Sequence, residues 1–195
     1  MSAFDLVVLD LDGTILDPAA DPPIRPRVVE AVRAVQERGV AVTLATGRTL
    51  PYLEPVARRL GLRLPVVAAG GAVVGNPLTG EVLAFQPVPE SRAREALEWA
   101  SVTGYEVALY LQGPTRLRIL QNLAVRPDAY HEHLFGGPRT LVRRPEAYPG
   151  ERLLKFIVVA PVGDCHPEVE RLAEALDPEV RIMRTHPELM EGHAA

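Results

Sequence analysis

The sequence predicts an α/β protein, with a doubly wound parallel-sheet core in its first half and a second α/β layer after it. Three observations carry this. From residue 5 to residue 69, apolar runs of strand length alternate with helix-length amphipathic segments, the order that builds a parallel sheet with right-handed crossovers. Near residue 85 that rhythm changes, and Gln86-Pro87-Val88-Pro89 reads as a linker. Beyond it, strand-plus-helix patterns recur over about 100 residues, enough for a layer of their own.

Each element follows from local pattern. Residues 5–10, Asp-Leu-Val-Val-Leu-Asp, are an apolar run ended by an acid, as in a buried parallel strand. Val28, Val32 and Val35 mark a helix over 26–38, with Pro26 suited to its first turn and Gly39 to its stop. Residues 40–45 form a second strand. Residues 49–60 form a second helix closed by Gly61, which Pro55 should bend or weaken. A third strand is predicted at 65–69. The runs 72–74 and 81–85 flank Gly75-Asn76-Pro77-Leu78-Thr79-Gly80 and read as a hairpin. In the second half, Ala93, Ala96, Leu97 and Ala100 mark an amphipathic helix. Strands are expected at 106–111, 116–120, 153–160 and 180–184, and residues 122–150 read as irregular. Val169, Leu172, Ala173 and Leu176 give one more helix face. No repeat or low-complexity segment is present.

Composition narrows the function classes. A formal charge of −4 argues against a nucleic-acid binder, which usually shows a basic face. No apolar stretch reaches 18 residues, so no membrane partner is expected. The N-terminal residues lack a basic region, so no signal peptide is expected either. Cys165 is the single cysteine, so no internal disulfide can form, and a cytoplasmic location fits. His131, His133, His166 and His186 lack partners at zinc-like spacing.

The chemistry concentrates in Asp10-Leu11-Asp12-Gly13-Thr14, where an acid ends the first strand and a second follows two residues on. In extended chain, residues two apart point the same way, so both carboxylates can face one small volume. Ligands of parallel α/β sheets bind beyond the carboxyl ends of the strands, and Gly13 lets the chain turn away. Paired carboxylates repel each other and any anionic ester, by about 4 kcal/mol per charge pair at ~4 Å in an intermediate dielectric. Magnesium resolves that conflict, since it takes oxygen ligands, one or two carboxylates and a substrate phosphate. One carboxylate can then attack phosphorus while the other shuttles a proton. Thr46-Gly47-Arg48 ends the second strand, 36 positions after Asp10. It offers a hydroxyl, an amide and a guanidinium to a phosphoryl group whose charge grows in flight. Asp-Gly alone also suits a plain turn, and Thr46 a helix cap. The two motifs on adjacent strand ends point to phosphoryl transfer.

With these residues in place, the chain resembles the haloacid dehalogenase-like superfamily, and within it the Cof-type sugar-phosphatase branch. The resemblance covers essentially all 195 residues and is most specific at 5–14 and 40–50. It implies a HAD-like Rossmannoid core over residues 1–84, an inserted α/β cap domain over 85–191, and a return to the core beginning at 192–195. It implies Asp10 as nucleophile and metal ligand, and Asp12 as acid/base and, through its backbone carbonyl, metal ligand. It implies phosphate binding by Thr46, Gly47 and Arg48, magnesium as cofactor, and a small phosphorylated metabolite, such as a sugar phosphate, as substrate, with the cap closing over it. Lys155, on an expected cap strand, resembles a cap lysine that can face substrate; a lysine at a strand edge is the plainer alternative.

The sequence departs from the family pattern twice. Gly70-Gly71-Ala72 stands where the family usually has Asn-Gly-Ala, removing a side-chain contact near the substrate. The lysine motif and the Gly-Asp-x-x-x-Asp segment that follow the family's cap are absent from a sequence ending Met190-Glu191-Gly192-His193-Ala194-Ala195. The core is therefore expected to be incomplete, leaving Val7, Val8 and Leu9 on an open apolar edge that favours self-association. A magnesium-dependent phosphatase is the expected function, and a phosphotransferase or mutase differs from it only in the acceptor. A catalytically impaired remnant or interaction module of the same fold is the alternative. A phospho-acceptor receiver domain fits neither the cap-sized second half nor Thr-Gly-Arg.

Overall fold

Residues 4–17, 21–112, 117–122, 139–141, 152–159, 167–186 and 189–195 are described by a computed structural model, in which the chain divides between Phe85 and Gln86 into two units. Cys165, His131, His133 and His166 lie outside the described residues, as does the side chain of His186.

In the first unit, β1 (Leu6–Leu9) pairs in parallel with β2 (Ala41–Leu44), in a register running from Leu6↔Ala41 to Leu9↔Leu44. The crossover is α1 (Pro26–Glu37), which starts on its proline and buries Val29 and Val32. The second helix differs from expectation. A 3-10 turn over Leu50–Leu53 precedes α2 (Glu54–Leu60), so Pro55 falls in the first turn, where its missing N–H breaks no helical bond. Gly61 closes α2 in the left-handed conformation, at φ 65°. β3 (Val66–Ala68) joins β2 through a parallel bridge between Ala45 and Val67, and then runs antiparallel to β4 (Val73–Gly75), which pairs with β5 (Val82–Phe85).

β1 is not the buried strand that its apolar run suggests. Leu6 is 49% and Val8 52% exposed, whereas Val7 and Leu9 are half-buried. The reason is local to the sheet. Among the described strands β1 pairs with β2 alone, and no described layer covers the face that Leu6 and Val8 share.

The second unit is a six-stranded sheet with helices α3 (Glu90–Thr103) and α4 (Pro167–Leu176). Its strands are β6 (Glu106–Gln112), β7 (Leu117–Gln121), β8 (Arg139–Leu141), β9 (Leu153–Val159), β10 (Val180–His186) and β11 (Leu189–Ala194), in spatial order β10-β11-β9-β6-β7-β8. Ala93, Ala96, Leu97 and Ala100 of α3, and Val169, Leu172 and Leu176 of α4, form one buried cluster with Leu109, Phe156 and Val158. No described helix is long and apolar enough to cross a membrane.

Two strands depart from the sequence reading. β8 lies inside the stretch read as irregular. Residues 192–195, expected to begin a return to the core, instead belong to the second unit, where β11 pairs on both sides, with β9 and β10. Gly192 and the lack of β-branched residues give 189–194 little strand character of its own. Pairing on both edges overrides that, and Met190 and Ala194 pack against the buried cluster. The glycine is needed there. Gly192 faces Phe156 across the strands, and a Cβ on it would lie 2.2–2.6 Å from three ring carbons of this fully buried phenyl. Gly192→Ala is therefore expected to destabilise the second unit by about 1–3 kcal/mol, as overpacking does, measured by urea unfolding.

Candidate active site

The two expected motifs lie at the same end of the strands. Asp10 directly follows β1, and the amide of Ala45 donates to the carbonyl of Leu9 at 2.9 Å, carrying the β1–β2 pairing to the edge of Thr46. From there the chain of Asp10–Asp12 is folded on itself by one acceptor. The Leu11 carbonyl takes the amides of Thr14, Ile15 and Leu16 at 3.3, 3.1 and 2.9 Å, and Gly13 returns a bond to Leu16 at 3.0 Å. Leu11, Ile15 and Leu16 are buried and anchor the loop. Gly13 sits at φ 77°, which a side chain would strain. This leaves Asp10 and Asp12 exposed. The Thr14 hydroxyl donates to Asp10 Oδ2 at 2.9 Å.

Thr46 is buried, its amide donates to the Val67 carbonyl at 3.0 Å, and its hydroxyl accepts the Arg48 amide at 3.2 Å. The turn after β3 holds this loop from the other side. Ala69 and Gly70 donate to the carbonyls of Arg48 and Thr46 at 2.7 and 3.1 Å. Both have positive φ, 52° and 66°. Gly70 adopts that conformation freely, whereas Ala69 is a fully buried non-glycine residue held there at a cost.

The strongest link between the motifs is a fork. Arg48 Nε and Nη2 donate to Asp12 Oδ2 and Oδ1 at 2.9 and 2.8 Å, a two-point charge-assisted pair. Its guanidinium carbon lies 4.5 Å from the ring centroid of Tyr52, on the turn that follows. Arg48, expected as a phosphate ligand, thus grips the second acid in this state. Tyr52 was not anticipated, although an aromatic four residues after the arginine is a usable signal.

The magnesium that the resemblance implies is compatible with this donor set. Such an ion needs one or two protein carboxylates and keeps several waters. The exposed carboxylate of Asp10 and the backbone carbonyl of Asp12 suit it, while both side-chain oxygens of Asp12 are taken by Arg48. Among the described residues, no group of three or more His, Cys, Asp or Glu side chains is placed to hold a metal.

Lys155 is placed differently from either expectation. It lies on β9, a strand paired on both sides rather than at an edge, and is 5% exposed. Its ammonium is 2.7 Å from Glu191 Oε2, and His193 Nε2 is 3.2 Å from the same oxygen. The ammonium also lies 5.3 Å from the Tyr110 ring centroid. Burial pushes the Glu191 carboxyl up, but the hydrogen bond from His193 and the charge of Lys155 outweigh it and hold the group at about 2. Glu191 and His193 carried no signal in the sequence, because β11 itself carried none.

A family model described as haloacid dehalogenase-like hydrolase matches residues 7–192. A phosphoglycolate phosphatase from Natronomonas pharaonis is 36% identical over 101 residues, 52% of this chain and 42% of that protein. Phosphatase YwpJ from Bacillus subtilis is 29% identical over 100 residues, 51% of this chain and 34% of that protein. The chain thus spans less than half the length of these relatives. A haloacid dehalogenase-like hydrolase from Bacteroides thetaiotaomicron superposes with TM-score 0.75 at 20% identity, over 98% of this chain and 71% of that one. A sugar phosphatase of HAD subclass IIB superposes with TM-score 0.71 at 16% identity, over 97% of this chain and 70% of that one.

Proposed function

The chain belongs to the haloacid dehalogenase-like hydrolases, and from that premise we propose that it is a magnesium-dependent phosphatase of small phosphorylated metabolites. The observation that carries this reading is the Asp12–Arg48 fork. It joins the acid pair to the Thr46–Arg48 loop, so groups from two strand ends serve one volume. The relatives named for phosphoglycolate and for sugar phosphates support a small substrate.

In the proposed reaction, the Asp10 carboxylate attacks phosphorus and forms an aspartyl-phosphate, while the ester oxygen leaves with a proton from Asp12. Asp12 then takes a proton from water, whose oxygen attacks the same phosphorus. Phosphate departs and the Asp10 carboxylate is restored. The Thr46 hydroxyl and the Gly47 amide hold the phosphoryl oxygens as their charge grows. Arg48 joins them when the anionic substrate draws its N–H groups off Asp12, which frees the Asp12 oxygens to carry the proton. Magnesium, held by Asp10 and the Asp12 carbonyl, would offset the repulsion between the carboxylate and the anionic ester. The Thr14 hydroxyl bond to Asp10 Oδ2 restrains the rotation of the carboxylate. A phosphotransferase would follow the same path with a sugar hydroxyl replacing water. The test is phosphate release from p-nitrophenyl phosphate by the full chain, with magnesium and with the metal chelated. No release at high protein concentration in magnesium would end this reading.

One observation favours a second reading, an interaction module of the same fold. Leu6 and Val8 form an exposed apolar face on a strand with a single described neighbour, an arrangement that recruits another chain. Self-association that rises with concentration is expected in light scattering, and the Leu6→Lys, Val8→Lys double variant is expected to abolish it. A wild-type chain that stays monomeric at every concentration contradicts this.

A further inference from the structure

We propose that Tyr52 is a positioning residue of this site, its ring a fixed platform for the Arg48 guanidinium and, through it, for the Asp12 carboxylate. The inference rests on the proposed roles of Asp12 and Arg48 in phosphoryl transfer.

The geometry is a three-part stack. The guanidinium carbon lies 4.5 Å from the Tyr52 ring centroid, while the guanidinium edge meets Asp12 at 2.9 and 2.8 Å. A carboxylate fork alone fixes the edge of a guanidinium. Arginine's long flexible stem still allows its plane to swing, and a contact on its face removes that freedom. The base of the platform is itself fixed. The neighbouring Leu50 and Leu53 are 5% and 0% exposed, and the Tyr52 amide donates to the Thr49 carbonyl at 3.0 Å. Tyr52 stays 38% exposed, so it contributes little to the core. Its aromatic face matters here and its hydroxyl does not, which makes phenylalanine a working substitute and leucine a failing one.

Two measurements on the full chain test this. The first is the Nε–H resonance of Arg48 in a ¹⁵N–¹H correlation spectrum, assigned by its disappearance in Arg48→Lys. In the wild type and in Tyr52→Phe it is expected to be shifted upfield by the ring current and to exchange slowly with water. Both features are expected to vanish in Tyr52→Leu, and their persistence there overturns the proposal. The second is turnover of p-nitrophenyl phosphate. Tyr52→Leu is expected to lower kcat about two- to fivefold, in line with a solvent-exposed cation–π contact, with KM little changed and Tyr52→Phe near wild type. A rise in KM alone overturns the positioning role. Absence of turnover in the wild type would refute the proposed activity, while the spectrum still decides the role of Tyr52.

Discussion

Asp10→Asn is expected to lower magnesium-dependent turnover of p-nitrophenyl phosphate by at least about 10³-fold, the scale on which loss of a covalent nucleophile acts. An amide cannot attack phosphorus, so the first bond of the proposed reaction cannot form. The substitution is nearly isosteric, and the amide oxygen can still accept the Thr14 hydroxyl that Asp10 Oδ2 accepts at 2.9 Å. The loop is held by the Leu11 carbonyl and three buried apolar residues rather than by the carboxylate. Unchanged thermal unfolding would therefore separate lost chemistry from lost fold. Asp12→Asn should differ in kind. Without a base for the water step, the phosphorylated chain is expected to accumulate, detectable as added phosphate mass on Asp10. Full activity in Asp10→Asn would sink the covalent route.

Glu191→Gln is expected to destabilise the second unit by about 3–5 kcal/mol, the cost of removing one partner from a buried ion pair. Glu191 has a 13% exposed side chain and faces the 6% exposed side chain of Lys155, whose buried ammonium would lose this carboxylate. Chemical unfolding followed by Trp99 fluorescence reads this directly. Trp99 is the single tryptophan and packs against the second unit's buried cluster. The pH dependence has a definite sign. The folded carboxyl is lowered from 4.5 to about 2, so the unfolded chain binds the proton first as pH falls. The contribution is whole above about pH 4.5 and is lost on acidification towards about pH 2, roughly 3 kcal/mol in all. Glu191→Gln should be less stable at neutral pH and should lack this acid-dependent loss. Replacing both partners, Lys155→Met with Glu191→Leu, is expected to recover most of the stability, because neither charge of the pair is left buried without the other. Equal urea midpoints for wild type and Glu191→Gln would show that the pair adds nothing.

The sequence by itself determined the succession of elements in the first unit and the placing of two motifs, the acid pair and Thr-Gly-Arg, at strand ends. Strand, helix, strand, helix, strand and hairpin are each written in short stretches, in valine spacing, in Gly61 after a helix and in Pro26 at the start of one. The acids of 10–14 and the Thr-Gly-Arg of 46–48 are legible for the same reason, since each motif acts through neighbours along the chain. Tertiary structure alone decided the rest. It made 189–194 an interior strand against weak local preference, left Leu6 and Val8 in the open, and gave Lys155 a carboxylate 36 residues away. It also turned Arg48 onto Asp12, across another 36 residues, and set Tyr52 beneath it. Periodicity states which face of an element is apolar. It does not state which element lies beside it or in what register, and those two choices fix which distant charges and rings meet.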